Sequence, residues 1–288
     1  MPAPVAIVTD STASLTADEV ETTGVVVVPL QVVIGNTSYE EGVDPEASPE
    51  SVATALREWV PVSTSRPSPA RVLQAYQAAA EGGARHLVSI HLSKAMSATY
   101  ESAVLASKES PVPVTVVDSR QVGRATGLAV LRAAGVLAGG GSAEQVAETA
   151  RLCGEATTTL LYVDTLEYLR RGGRIGAASA LIGGALAVKP LLQVVDGVLS
   201  NVEKVRTSAR ALGRLTDLAL AAVGDGRAVV SVAHLANEER AHRLADALAA
   251  RLGDQLEGVI DLQEVGAVVG AHTGPGMVGV TLAPLSLS

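Results

Sequence analysis

Four short segments of this chain combine residue types able to take hold of an anion. The first is Ser63-Thr64-Ser65-Arg66-Pro67-Ser68-Pro69. Its hydroxyls run up to a Ser-Pro helix start, where unpaired backbone N–H groups and the helix dipole favour negative charge. Ser68 could equally do no more than cap that helix. The second segment runs from His91 through Ser93 and Ser97 to Tyr100. It follows a strand-like run at 86–92 and so lies at the carboxyl end of a strand, where open α/β sheets bind ligands. Ser97 stands at the start of the next helix, as a cap or as a donor to a ligand. The third, Tyr168-Leu169-Arg170-Arg171-Gly172-Gly173-Arg174-Ile175, sets three guanidinium groups around a glycine pair. Their forks match carboxylate or phosphate, and Gly-Gly lets backbone come close. A solvated turn with one structural ion pair fits the same residues. The fourth, Gly270-Ala271-His272-Thr273-Gly274-Pro275-Gly276, reads as a rigid loop around His272, and a histidine held in such a loop points to function.

Several other chemistries find little support. Neither a P-loop nor a G-x-G-x-x-G fingerprint occurs. Serine, His272 and Asp118 supply the inventory of a hydrolase, but Ser97 is flanked by Met96 and Ala98 rather than the glycines of a nucleophile elbow. His234 and His242 are eight residues apart and His86 and His91 five, neither a recognisable metal-ligand spacing. The formal charge of −8 argues against sequence-independent nucleic-acid binding and against adsorption to an anionic membrane. A single cysteine, Cys153, allows no internal disulfide and falls on the apolar face of a helix as core filler. The longest nearly apolar run, 175–188, is short of a membrane span. The opening residues move straight into a strand-like run without a secretory pattern, so a soluble cytoplasmic protein is expected.

The elements that must position these segments follow from periodicity. Residues 5–10 form a short apolar run, as in a strand buried on both faces. Thr16 with Glu19 makes a capping-box signal. The run 25–34 is interrupted by Pro29, which suggests an edge or a bend. Ser48-Pro49 and Ser68-Pro69 start helices, and Ser142 with Gln145 caps another. Strands at 86–92 and 114–119 alternate with these helices, which implies a mostly parallel sheet with right-handed crossovers. Beyond residue 157 the pattern changes. A β-rich run at 157–163 precedes a Gly/Ala-rich helix at 175–188. Two strand runs then flank Asp196-Gly197, a hairpin signal, and a helix capped by Asn237 lies between strands at 228–234 and 259–265. The expected organisation is an N-terminal α/β domain, 1–157, and a C-terminal α+β domain, 158–288, packed around a cleft. With 48 % hydrophobic residues, no Phe and one Trp, aliphatic side chains could fill a core or wall a narrow tunnel.

Taken in order, these motifs resemble the DegV family. The resemblance rests on Val-Thr-Asp-Ser-Thr-Ala-Ser-Leu at 8–15, Thr-Ser-x-Pro-Ser at 64–68, Ile-His-Leu-Ser-(x)3-Ser-x-Thr-Tyr at 90–100 and Val-Asp-Ser at 117–119. It continues with Tyr-Leu-(x)2-Gly-Gly-Arg-Ile at 168–175, Lys189-Pro190, Asp196-Gly197, Lys-Val-Arg-Thr at 204–207 and His-Thr-Gly-Pro-Gly at 272–276. It implies a fatty acid held between two domains and a FakB-type role: a non-catalytic, lipid-binding subunit that presents a long-chain fatty acid to the catalytic subunit of a fatty acid kinase. The acyl phosphate formed would feed phospholipid synthesis. On this resemblance Thr64 and Ser97 bond the carboxylate, Arg174 and His272 complete the polar network, and Arg206 docks the kinase. No catalytic residue, metal or cofactor is implied. The chain departs from the pattern at Arg66, where many relatives carry Gln, and at Lys94-Ala95-Met96, often Ser-Gly-Leu. The alternative is a phosphoryl-transfer enzyme akin to dihydroxyacetone-kinase or sugar-phosphotransferase domains, with His272 as phosphate carrier.

Overall fold

The computed structural model describes residues 4–176, 178 and 189–287. Most of the Gly/Ala-rich run read above as a helix at 175–188 therefore lies outside the described residues.

Among the described residues, three sheets organise the fold. The first is parallel, in the order β2-β1-β6-β7, with β1 at Val5–Asp10, β2 at Val26–Val28, β6 at His86–His91 and β7 at Val114–Asp118. Its near-continuous Val/Ile/Leu runs are those of strands covered on both faces. Helices α3 (Pro69–Glu81) and α4 (Thr99–Ser107) pack on one side, and α5 (Arg124–Ala138) and α6 (Ala143–Ala156) on the other. The local start signals behave as expected. Thr16 and Glu19 close a capping box on α1 (Ala17–Thr23), Ser142 and Gln145 close one on α6, and Ser68 accepts from the amide of Arg71 at the start of α3. Cys153 is wholly buried on α6.

The second sheet was not foreseen. Pro29 ends β2, and the single apolar run read at 25–34 splits between two sheets. Proline has no N–H for a ladder, and the chain beyond it forms an antiparallel sheet, β4-β3-β5, from β3 (Gln31–Ile34), β4 (Thr37–Glu40) and β5 (Val62–Ser65). Helix α2 (Pro49–Arg57) joins β4 to β5. Val32, Val52 and Leu56 of this layer bury themselves against Ala267, Val268 and Ala271 of α10 (Ala267–Thr273).

The third sheet has six strands in the order β10-β9-β8-β13-β11-β12, mostly antiparallel, with only β11 and β12 parallel among those pairs. These are β8 (Thr158–Tyr162), β9 (Lys189–Val195), β10 (Val198–Val205), β11 (Ala228–His234), β12 (Asp261–Glu264) and β13 (Val278–Pro284). Helices α8 (Ser208–Val223) and α9 (Glu238–Leu252) cover one face of it. The fold is thus α/β, with a parallel sheet and flanking helices followed by a sheet-and-helix region.

Asp196 and Gly197 form the β9–β10 turn with φ of 51° and 78°. Positive φ at both positions matches the right-handed twist of a tight hairpin. The turn also reaches across to the parallel sheet: Ser93 Oγ donates to the Gly197 carbonyl at 2.7 Å, and Arg120 pairs with Asp196 at 2.6 Å. Gly197→Ala would place a methyl group into Ser93 Oγ at a φ that L-residues avoid. We expect a loss of about 1–3 kcal/mol in urea unfolding, from strain together with the lost buried hydrogen bond.

Candidate functional site

A cavity of about 350 Å³ opens where the three layers meet. Thr12, Leu92, Met96, Ser97 and Val122 reach it from the segments that follow β1, β6 and β7. These are the carboxyl ends of the parallel strands, where such sheets leave a crevice. Thr64 and Arg66 enter from the antiparallel layer, and Leu199 from β10. Leu169, on α7 (Glu167–Arg171), and Arg174 beyond it close one side; Val268, Val269, His272 and Thr273 of α10 close the other. The wall continues into a smaller space of about 80 Å³ lined by Leu160, Leu161, Val194, Val265 and Met277, reached past the shared residues Val122, Leu199 and Val269.

Four of the residues singled out from sequence, Thr64, Ser97, Arg174 and His272, come together on this wall, although each is half-buried and they lie far apart in the chain. Their local settings differ from expectation. Thr64 sits on strand β5, not at a helix start, and only Ser68 does the capping. His272 occupies the last turn of helix α10 rather than a loop. Gly270 is helical, packed against the Leu235 side chain, and the irregular path begins only at Gly274, where φ turns to 74°. Ser97 lies just ahead of α4; its Oγ accepts from the Thr99 amide at 3.3 Å and pairs with the Thr99 hydroxyl at 2.9 Å. Of the three arginines, Arg170 and Arg171 both close on Glu167 at 2.7 Å, so Arg174 alone turns to the cavity. Asn237 precedes α9 but does not cap it with its side chain; the side-chain amide instead donates to the Gly276 carbonyl. Arg206 is exposed between β10 and α8, outside the cavity wall.

The four side chains make a donor-rich cluster. His272 Nε2 and Thr64 Oγ1 are 2.8 Å apart. Arg174 donates through Nε to the Met96 carbonyl at 3.0 Å and through Nη1 to the Gly172 carbonyl at 2.6 Å. A guanidinium has five N–H donors, so the rest of its fork is left for an anion. His272 Nδ1 is shut off from solvent with no partner, against Gly172, where a Cβ would collide with the ring. Orphaned buried N–H groups are rarer than orphaned acceptors. We therefore assign the proton to Nε2, donating to Thr64 Oγ1. The Thr64 hydroxyl hydrogen is then free to point into the cavity. Burial, reinforced by the Arg174 charge, pushes the His272 imidazole down to about 4 and keeps it neutral at physiological pH.

The same cluster has a second side. Thr64, Arg174 and His272 also border a second pocket of about 360 Å³, with Ser63, Tyr168, Arg171 and Trp59 as well as the apolar Leu56, Val60 and Val62. Trp59 is 76 % exposed at a φ of 62°, and the Arg171 guanidinium lies 5.4 Å from its ring. The polar side chains thus stand between a mostly apolar cavity and a second pocket of mixed lining.

Two further groups were not assembled by the sequence pattern. Glu41 is 7 % exposed and accepts from the Val268 amide of α10. Asp10, His91, Ser89 and Tyr76 form a buried chain: Tyr76 O–H donates to Ser89 Oγ at 2.8 Å, Ser89 lies 2.7 Å from His91 Nε2, and His91 Nδ1 lies 2.9 Å from Asp10 Oδ2. An alternation of small polar and apolar residues along β6 is the only local sign of it. The pairing with β1 that completes it is non-local.

The depressed imidazole has a measurable consequence. An unfolded histidine binds its proton near 6.5 and His272 only near 4, so unfolding takes up a proton between these values. Its contribution to stability is full above pH 6.5 and is lost as pH falls through about 4. Proton–nitrogen NMR should show the His272 ring as the Nε2–H tautomer, titrating near 4; a midpoint at or above 6.5 would contradict the assignment.

Comparison with known proteins agrees with the motif order. The family model described as "Uncharacterised protein, DegV family" matches residues 4–285. A DegV domain-containing protein of Streptomyces coelicolor is 48 % identical over 280 residues, covering 96 % of this chain and 98 % of its own. One from Deinococcus radiodurans is 41 % identical, covering 98 % and 99 %. Among solved structures, the fatty acid-binding DegV family protein of Thermus thermophilus superposes with a TM-score of 0.91 at 32 % identity, covering 98 % of this chain and 100 % of that one. DegV of Bacillus subtilis, described as a fatty acid binding protein, gives 0.88 at 29 % identity over 98 % and 99 %. With its architecture and its cavity in place, the chain belongs to the DegV family.

Proposed function

We propose that this protein binds one long-chain fatty acid, with its carboxylate at the Thr64–Ser97–Arg174–His272 cluster and its tail in the apolar cavity. The single observation that carries this reading is the placement of one patch of donors on the wall of a mostly apolar cavity, with a second, more polar pocket on its other side. A carboxylate taken out of water needs several donors or a paired cation, or its burial costs several kcal/mol. Thr64 O–H, Ser97 O–H and the free part of the Arg174 fork supply them, and neutral His272 orients Thr64. The tail needs only apolar wall. At roughly 0.8 kcal/mol per methylene, palmitate would gain about 10 kcal/mol before ordering costs. Relatives of the same fold are described as fatty acid-binding, which supports this ligand class.

The second pocket extends the reading to a FakB-type carrier. The ligand's carboxylate would face that pocket, where a fatty acid kinase catalytic subunit could phosphorylate it, with Arg206 contributing to docking. The chemistry would then belong to the partner and the acyl phosphate would feed phospholipid synthesis in the cytoplasm. The two units around the ligand would be 1–157 and 158–288. A phosphohistidine at His272 fits less well, because Nε2 is engaged by Thr64 and Nδ1 is closed in beside Gly172.

Native mass spectrometry of the purified protein should show a bound long-chain fatty acid. A clean ligand-free mass that also refuses added palmitate and oleate would sink the reading. Thr64→Ala and Ser97→Ala should each weaken palmitate by about tenfold, each removing a hydrogen bond to a charged group; unchanged affinity in both would displace the carboxylate from this cluster. With a fatty acid kinase subunit and ATP, the loaded protein should yield acyl phosphate, and Arg206→Ala should lower the rate without changing palmitate affinity.

A further inference from the structure

Helix α10 delivers four residues to the cavity wall, Val268, Val269, His272 and Thr273, yet it has no cap of its own. Its N-cap is Gly266, which has no side chain to accept from the first-turn amides. Glu41 takes that place from 227 positions away. Its Oε1 accepts from the Val268 amide at 2.9 Å. Gly266 has an ordinary φ of −59°, so backbone freedom does not explain its missing side chain. A Cβ there would collide with Glu41 Oε1. The glycine makes room for the carboxyl.

The placement of Glu41 is the telling feature. It follows β4 directly, and its own N–H extends the antiparallel layer by donating to the Leu30 carbonyl at 2.9 Å. In that layer Tyr39 of β4 pairs with Val32 of β3, and Val32 with Thr64 of β5. One sheet therefore grips α10 at both ends: at the first turn through Glu41, and at the last turn through Thr64, which meets His272. Along the helix axis Val268 and His272 are only about 6 Å apart, so a shift at the first turn is carried to the last. The body between them is fixed by apolar contact of Val268 and Ala271 with Val32, Val52 and Leu56. A carboxyl kept this dry is an expensive cap. Burial pushes Glu41 up from the ordinary carboxyl range, against the hydrogen bond from Val268, and its Oε2 is buried without a partner. A serine or aspartate at position 266 would cap the helix without that penalty, but it would not tie the helix to the sheet that carries Thr64.

We propose that Glu41 is a positioning residue for the head-group site: it holds the first turn of α10 to the β3–β4 layer and so sets where the last turn brings His272 to Thr64. The inference rests on the reading that Thr64 and His272 bind a fatty-acid carboxylate.

The test compares palmitate with hexadecanol, which shares the tail but lacks the carboxylate, in wild type, Glu41→Ala, Glu41→Gln, Gly266→Ala and His272→Ala. Imidazole nitrogen shifts of His272 are recorded in the ligand-free proteins. Glu41→Ala and Gly266→Ala should weaken palmitate by about tenfold, the scale of a small misplacement of a binding group. Hexadecanol should change by less than about twofold, and the His272 shifts should move. Glu41→Gln, which keeps an acceptor for the Val268 amide, should restore most of the palmitate affinity. Wild-type His272 shifts and palmitate affinity in folded Glu41→Ala or Gly266→Ala would overturn the proposal. Equal losses of palmitate and hexadecanol would also overturn it, since they signify general loosening. If Glu41→Ala does not fold, Gly266→Ala and Glu41→Gln decide by the same readouts. Failure of the head-group reading looks different: His272→Ala would leave palmitate unaffected while the His272 shifts still responded to Glu41.

Discussion

The hydrogen bond between Thr64 and His272 joins a strand of the small antiparallel layer to a helix 208 positions away, and the donor cluster is built around it. A protonated ring would still donate through Nε2 to Thr64, but it would bury an Nδ1–H without an acceptor and add a charge beside the Arg174 guanidinium. Burial and that guanidinium hold the ring neutral, so Arg174 both offers donors and fixes the state of its neighbour. The close approach at Gly172 completes the arrangement by shutting Nδ1 away from water.

Such a bond needs rigid supports, because a cavity at the meeting point of three layers is bounded by surfaces that could slide. Several contacts prevent this. Arg124, 9 % exposed, pairs with Glu19 at 2.6 Å and with Asp261 at 2.8 Å, tying α5 to α1 and to β12. Ser93 and Arg120 hold the β9–β10 turn against the parallel sheet. Gln121 donates to the carbonyls of Gly154 and Thr157 and accepts from Thr159, which fixes the approach to β8. Buried ion pairs of this kind add little net stability, but removing one partner costs several kcal/mol. Their effect here is to select one arrangement of the layers, and with it one shape of cavity.

What the sequence revealed was what local chemistry decides. Capping boxes at Thr16 and Ser142, Ser-Pro helix starts and the Asp196-Gly197 turn act within a few residues, and each forms as its pattern implies. The parallel sheet was readable because strands buried on both faces are apolar at every position. The antiparallel layer was not. Its strands are four residues long and partly exposed, and its existence depends on Pro29 dividing one apolar run between two sheets. His272 was misread as a loop residue because Gly270 was counted with Gly274 and Gly276. The first is a glycine of close packing, the other two are glycines of positive φ, and composition does not distinguish them. Glu41 was invisible for a different reason: its meaning lies wholly in a contact across 227 positions.

The chain Tyr76–Ser89–His91–Asp10 shows how little residue types say without access. Its Ser-His-Asp portion has the order and spacing of a hydrolytic relay, yet Ser89, His91 and Asp10 are all fully buried. What the chain does control is the cavity wall. Asp10 Oδ1 accepts from the amide and the hydroxyl of Thr12, and Oδ2 accepts from the amide of Leu92 as well as from His91. Thr12 and Leu92 both line the cavity. One buried carboxylate with four donors thus fixes the ends of β1 and β6, two of the three strands whose carboxyl ends open the crevice. His91 serves as one of those donors, and Ser89 and Tyr76 satisfy the nitrogen that remains. The network is best understood as scaffolding, in which each polar group answers the next so that none is left unpaired in a dry interior.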